Sequence, residues 1–258
     1  MQIKLDFTRS SQENGNHYYE EAKRLEGKIK RAEEATSILR AKIEEAKSKE
    51  SEGKTKITKI QDKKWYEKFH WFFTSGNLLA IGGRDAQQNE LLNSRYFEDH
   101  DLFFHANIFG ASVVILKEGI NASKEDKEEC AQFSASYSSA WNKMQGEVDV
   151  YCMKRDQVSK STNKGSLGTG SFLLKGEREW YRNTGLKLVA LIEEEKFEVL
   201  PYLRFMHIDN QEHIKKVIID IGKMQKSDAA KKIALILKYD DINTIMQQLP
   251  AGTFSLTE

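Results

Sequence analysis

The residues richest in possible chemistry lie between Arg84 and Lys187 and form three groups. The first is the polar segment Arg84-Asp85-Ala86-Gln87-Gln88-Asn89-Glu90, which follows Gly82-Gly83 and opens a helix. A helix start presents unpaired backbone N–H groups and the positive end of a dipole, a setting that favours phosphate. The second is His105, which with Glu90 and Asp101 has the composition of a general base with carboxylate support. The more economical reading is a histidine at the end of a buried strand, bonded to structural neighbours. In the third, from Tyr151 to Lys187, eight basic residues (Lys154, Arg155, Lys160, Lys164, Lys175, Arg178, Arg182 and Lys187) stand against three acidic ones. The glycine- and serine-rich loop Ser161–Gly170 can bring backbone N–H groups close to phosphates, and its lysines supply charge that counterion release rewards. Trp180 and Tyr181, beside Arg178 and Arg182, add faces on which an unpaired base stacks for ~1–3 kcal/mol. The alternative is an ordinary hairpin loop with solubilising lysines, and composition alone favours it.

Other chemistries find little support. The sequence has no G-x-S-x-G elbow, Walker loop, H-E-x-x-H or paired C-x-x-C. Gly82-Gly83 lacks the further spaced glycines of a dinucleotide fingerprint. The two cysteines, Cys130 and Cys152, have neither metal spacing nor the numbers of a disulfide framework. We therefore expect no enzyme, no catalytic residue, no metal and no cofactor. No apolar run approaches the ~18 residues of a membrane span, and the first ten residues lack a signal-peptide core. The expectation is a soluble cytoplasmic protein with no membrane partner. A net charge of +1 gives no global pull on nucleic acid, so any basic surface is local.

The elements that must position these groups can be read from the patterning. Hydrophobic content of 39% with 31% charged residues suggests a globular part attached to a charged helical one. Residues 3–7 alternate as a short strand, and Ser10 or Ser11 with Glu13 forms a capping signature. From Asn16 to about Lys49, Tyr18, Ala22, Leu25, Ile29, Ala32, Ala35, Leu39 and Ile43 recur at spacings of three and four. That is a helix with a thin apolar stripe, suited to the end of a coiled coil or to packing on its own domain. Its charges are those of a solvated face, with an RNA-tracking face as the lesser alternative. Ser48 to Lys59 is a polar hinge, so residues 1–59 form the arm and residues 60–258 the globular domain.

The domain is organised around Trp65 to Leu116: an aromatic cluster, a strand at Leu78–Ile81, the glycine turn, the helix start, a strand at Asp101–His105 and another element from Ala111. A helix from about Lys124 to Trp141 follows, interleaved with serines that suit close packing on a sheet. Strands are predicted at Val148–Met153, Phe172–Leu174, Leu186–Ile192, Phe197–Phe205 and Lys216–Ile221. Two closing helices are predicted at Ala229–Leu237 and Asp241–Leu249, the second stopped by Pro250. Strands and helices intermix without βαβ alternation, so the fold class is α+β with a mostly antiparallel sheet and packed helices.

The motifs carry a resemblance. Ile81-Gly-Gly-Arg-Asp-Ala-Gln-Gln-Asn-Glu-Leu91 is followed by Asp101-Leu-Phe-Phe-His-Ala-Asn-Ile-Phe-Gly-Ala-Ser112, Tyr137-Ser-Ser-Ala-Trp141, Gln157-Val-Ser-Lys160 and Gly170-Ser-Phe172. In this order they resemble the NFACT RNA-binding domain, the C-terminal module of NFACT proteins. The helix from Asn16 resembles the end of the coiled coil that precedes it, and Leu249-Pro250-Ala-Gly252 resembles the closing segment of archaeal members. The family pattern reads His-Ala-Asp-x-His-Gly-Ala-Ser where this chain has His105-Ala106-Asn107-Ile108-Phe109-Gly110-Ala111-Ser112. The acid and the second histidine are thus replaced by Asn107 and Phe109. Ser166 stands where a glutamate is usual, in a loop one residue short.

The resemblance implies a factor in ribosome-associated quality control that binds the large ribosomal subunit, its rRNA or tRNA, at stalled ribosomes. Full-length relatives recruit tRNA for C-terminal tailing of the nascent chain. The NFACT N-terminal domain and most of the coiled coil are missing from this sequence. That implies a separate NFACT N-terminal half, another coiled-coil protein as partner for the arm, or an autonomous module. On this reading Arg84, Gln87, Gln88, Asn89, Arg155, Lys160, Lys164, Lys175 and Arg178 contact RNA, with His105 in a lesser role. The alternatives are a coiled-coil protein-interaction module and a general binder of DNA.

Overall fold

In a computed structural model the described residues are 6–8, 10–52, 64–162, 165–193, 195–208 and 211–258. They divide into two units, Met1–Asp62 and Lys63–Glu258. The first holds helix α1, Ser11–Glu52. Ser10 caps it: its Oγ accepts the Glu13 N–H, and its own N–H donates to Glu13 Oε2 at 2.7 Å. Behind this cap the segment from Asp6 folds back as a turn, with Asp6 N–H donating to Asn14 Oδ1 at 2.9 Å. The strand predicted over residues 3–7 falls mostly outside the described residues. The helix runs past the predicted hinge start at Ser48; the hinge from Gly53 onward lies outside the described residues.

The second unit begins with the antiparallel hairpin β1 (His70–Phe73) and β2 (Leu79–Gly82). Its turn closes at Asn77, whose φ of 61° suits a residue that tolerates the left-handed region. The aromatic cluster therefore supplies a strand that sequence patterning had left unassigned. After the glycine turn, Asp85 caps α2 (Ala86–Leu91), its Oδ1 accepting Gln88 N–H at 2.8 Å. A π-helical turn, Leu92–Tyr96, continues it. Strands β3 (Leu102–Ala106) and β4 (Val113–Leu116) follow.

Helix α3 (Lys124–Ser136) opens with a capping box between Ser123 and Asp126. It ends five residues sooner than predicted, because Ser138 starts a separate short helix, α4 (Ser139–Asn142), by accepting Ala140 N–H at 3.2 Å. Strand β5 (Glu147–Lys154) leads to the short pairs β6 (Val158–Ser159), β7 (Ser161–Thr162), β8 (Gly165–Ser166) and β9 (Leu173–Leu174). Then come β10 (Glu179–Gly185), β11 (Leu188–Glu193) and β12 (Lys196–Pro201). The predicted strand Phe197–Phe205 splits at Pro201, beyond which Tyr202–Met206 turns into α5. The unit closes with β13 (Lys216–Met224), α6 (Lys226–Leu237), α7 (Ile242–Gln248) and β14 (Phe254–Thr257).

The fold is α+β and its strand pairings are antiparallel. A six-stranded sheet has the order β1-β2-β4-β3-β5-β10, and a four-stranded sheet the order β12-β11-β13-β14. One face of the larger sheet shares a core with α3, α6, α7 and the smaller sheet, through residues such as Phe72, Phe104, Phe133, Trp141, Leu188 and Ile233. Its other face carries a separate aromatic-rich core built on Phe69, Ile81, Phe97, Phe103, Tyr151 and Met153. Partly buried Tyr96, Phe172 and Trp180 lie along the margin of that second core. Burial of whole side chains at about 25 cal/mol per Å² makes both faces strongly favourable, so the sheet is fixed from two sides.

Candidate nucleic-acid interface

The glycine turn works mainly by close approach. A Cβ on Gly83 would stand 2.2 Å from Asn89 Oδ1. That oxygen accepts the buried Val113 N–H at 3.0 Å, so Asn89 ties the helix start to the neighbouring strand. Arg84 directs Nη2 to Phe69 O at 3.0 Å, and its own N–H donates to Gln88 Oε1 at 3.1 Å. Gln88 in turn donates from Nε2 to Lys68 O at 3.2 Å. Within this segment Gln87 is the site residue turned to solvent. Asn89, Arg84 and Gln88 each direct a side-chain group into the frame that holds it.

The basic loop meets the same helix. Lys160 Nζ forms a very short contact with Glu90 Oε2, and also donates to Gly168 O at 2.7 Å. Gly170 N–H reaches the same carboxylate oxygen at 3.2 Å, and Gly170 sits against Ala86 at a φ of +76°. The hydrogen bond from Lys160 is the largest influence holding the Glu90 carboxyl below its ordinary pKa. The structure thus joins the predicted helix start and the predicted basic loop, but through an internal ion pair. Lys164 lies outside the described residues.

Downstream the cations face outward. Lys175 and Arg178 are exposed. The Arg178 guanidinium lies 4.7 Å from the Tyr151 ring centroid and 5.7 Å from that of Trp180. Arg182 lies 4.0 Å from the Trp180 ring and is held by Asp149 at 2.6 Å. Trp180 therefore sits in a cation–π ladder on β10, the edge strand of the larger sheet. Such a ladder holds guanidinium groups close to aromatic rings at the surface, a combination whose chemistry suits phosphates and bases. Arg155 is less free: Nη1 donates to Val158 O at 2.9 Å, and its guanidinium covers Phe97 at 5.0 Å.

His105 sits behind this ladder, its Nδ1 3.2 Å from the Tyr151 hydroxyl. Burial, aided by the Arg178 charge, lowers its pKa to about 4. It is therefore neutral at physiological pH and supports Tyr151 from within. Glu90 points at Lys160 and Asp101 at Lys117, at 2.6 Å, so neither of the carboxylates weighed for a catalytic pair is spent on His105.

Two features were missed from sequence. Trp65, 46% exposed, stacks on Tyr96 with centroids 4.8 Å apart and planes 6° from parallel. Lys68 lies 5.0 Å from the same Tyr96 ring and donates to its hydroxyl at 2.9 Å. No local pattern links residues so far apart in the chain, although the density of aromatics from Trp65 was a signal. The other is Phe109, at the position where the family pattern has a histidine; its ring is 95% exposed.

Comparison with known proteins agrees with the resemblance. Residues 68–176 match the family described as NFACT protein RNA binding domain. The Archaeal Rqc2 homolog aRqcH of Methanocaldococcus jannaschii is 37% identical over 207 residues, covering 77% of this chain and 30% of that protein. The Ribosome quality control complex subunit NEMF homolog of Drosophila melanogaster is 34% identical over 206 residues, covering 76% and 21%. Human Ribosome quality control complex subunit NEMF is 32% identical over 192 residues, covering 70% and 18%. The chain thus spans less than a third of the length of these relatives. Residues 68–176 thus belong to the NFACT protein RNA binding domain family.

Proposed function

We propose that this protein binds RNA as the RNA-binding module of a ribosome quality control factor, docking on large-subunit rRNA or on tRNA at stalled ribosomes. The observation that carries this is the Arg178–Trp180–Arg182 ladder with its Tyr151 support. Lys175 and Arg178 supply phosphate contacts from the exposed strand edge, with Gln87 as a polar contact at the helix start. Arg84, Gln88, Asn89, Lys160 and His105 hold the surface in shape, and Arg155 anchors the strap after β5. The ring faces of Trp180 and Trp65 receive unpaired bases. The names of the relatives, which are ribosome quality control subunits, support the ribosome as the place of action.

Co-sedimentation with purified large ribosomal subunits across a salt series tests this, comparing the chain with a Lys175→Gln/Arg178→Gln variant. Counterion release at two lost contacts lowers the magnitude of the log–log salt slope by about 1.4 if the RNA is single-stranded at the site. Binding that ignores salt and both substitutions would refute the RNA reading and favour a protein contact through the helical arm. Parallel binding to RNA and DNA of one sequence separates an RNA module from a general nucleic-acid binder.

A further inference from the structure

A large aromatic ring that is almost wholly exposed is costly to keep in water, and Phe109 is held there by design of its loop rather than by looseness. The loop leaves β3 with Asn107 N–H donating to Asp149 O at 2.7 Å and Ile108 N–H to Ala106 O at 2.7 Å. Ser139 Oγ then donates to Phe109 O at 2.6 Å, so the backbone that carries the ring is pinned from α4. Gly110 follows at a φ of +82°, which lets the chain return to β4 at once. Ile108, the neighbouring apolar residue, turns inward onto the core. The ring has no such shelter. The same connections tie the loop to the cationic ladder. Asp149, whose carbonyl accepts Asn107 N–H, uses its carboxylate to hold Arg182 against Trp180.

We propose that Phe109 is a base-stacking platform, receiving one unpaired nucleobase of a single-stranded RNA whose phosphates run along Arg178 and Arg182. This rests on the RNA-binding reading and extends its surface around the end of β3 and β5. A preset ring costs little ordering entropy on binding, because its backbone is already fixed. The cations linked to its loop through Asp149 favour a polyanion over an apolar partner, and every base offers a π-face whatever its sequence.

The test is fluorescence anisotropy of the full chain and a Phe109→Ala variant, with a labelled single-stranded oligoribouridylate and with duplex RNA, across a salt series. Phe109 makes no core contact, so Phe109→Ala folds as the parent does, and circular dichroism confirms it. The expected result is binding of single-stranded RNA about 5- to 150-fold weaker, with the salt slope unchanged because no phosphate contact is lost. Duplex RNA, whose bases are already stacked, shows no such loss, and Phe109→Trp restores the single-strand affinity. Equal single-strand affinity for parent and Phe109→Ala would overturn the assignment, as would an equal loss on duplex RNA. If Phe109→Ala binds RNA normally but leaves the large subunit, Phe109 belongs to a protein contact and stacking is wrong. Absence of salt-dependent binding by the parent to either RNA would instead remove the RNA reading itself, and this inference with it.

Discussion

Lys160 offers the sharpest test of the difference between a residue that binds RNA and one that holds the binding surface. Its ammonium has three internal acceptors: Glu90, Gly168 O and Ser171 O. Replacing it with Met keeps an unbranched stem of similar length but removes every donor, and with them the charge 5.4 Å from the Phe172 ring centroid. Hydrogen bonds to charged groups contribute ~1.5–3 kcal/mol when shielded, and exposed ion pairs only ~0.2–1 kcal/mol. The Lys160 and Glu90 side chains are 26% and 30% exposed, so the pair falls between those limits, at about 1–2 kcal/mol. For a domain of this size class that is a loss of about 2–8 °C in Tm. Differential scanning calorimetry measures the stability, and the salt dependence of RNA binding reports the contact. A phosphate ligand would behave the opposite way, leaving Tm alone and lowering the salt slope by about 0.7. Lys160→Met with an unchanged Tm and a reduced slope would refute the internal-pin argument.

Two further predictions concern stability. Gly83→Ala drives a Cβ into the Asn89 side chain and costs about 1–3 kcal/mol in urea denaturation. Asn89→Ala alone strands the Val113 N–H at a similar cost, and the double variant loses less than the sum; strict additivity would show that the two residues do not share one space. His105 has a folded pKa of about 4 against an ordinary 6.5, so the unfolded chain binds a proton in that window that the fold excludes. Stability therefore falls as pH drops from about 6.5 towards 4, with buried His70 acting in the same direction. An NMR titration placing His105 near 6.5 would contradict the burial argument.

Much of this was legible in the residues, and the failures share a cause. Strongly patterned pieces were readable: the Ser10 cap, the strand–glycine–helix passage at Leu79–Leu91, β5, and the helix from Ala229. Strand β10 was not, because Glu-Trp-Tyr-Arg-Asn-Thr-Gly is an edge strand whose polar half faces water and whose Asn183 has a φ of 50°. An edge needs no apolar alternation, only a neighbour, and β5 supplies it through pairs such as Trp180–Tyr151. The site divided along the same line. Charge and glycine content marked Arg84–Glu90 and Tyr151–Lys187 as regions. Which members turn outward depended on long-range partners, such as Glu90 for Lys160 and Val113 for Asn89, that no spacing announces.

The placement of α3 has a consequence for what counts as one piece of this molecule. Its buried residues, Cys130, Phe133 and Ala135 among them, belong to a core that also holds Leu188, Val217 and Ile233 from beyond residue 176. The stretch that matches the NFACT RNA binding domain ends at 176, yet β10, which completes the larger sheet, comes afterwards. The border of that match is therefore not the border of the cooperative unit. A chain cut at 176 would lose the outer partner of β5, the Trp180 ladder and the cover over α3 together. The C-terminal sheet is thus less an appendix to the recognition domain than the keystone without which its arch does not close.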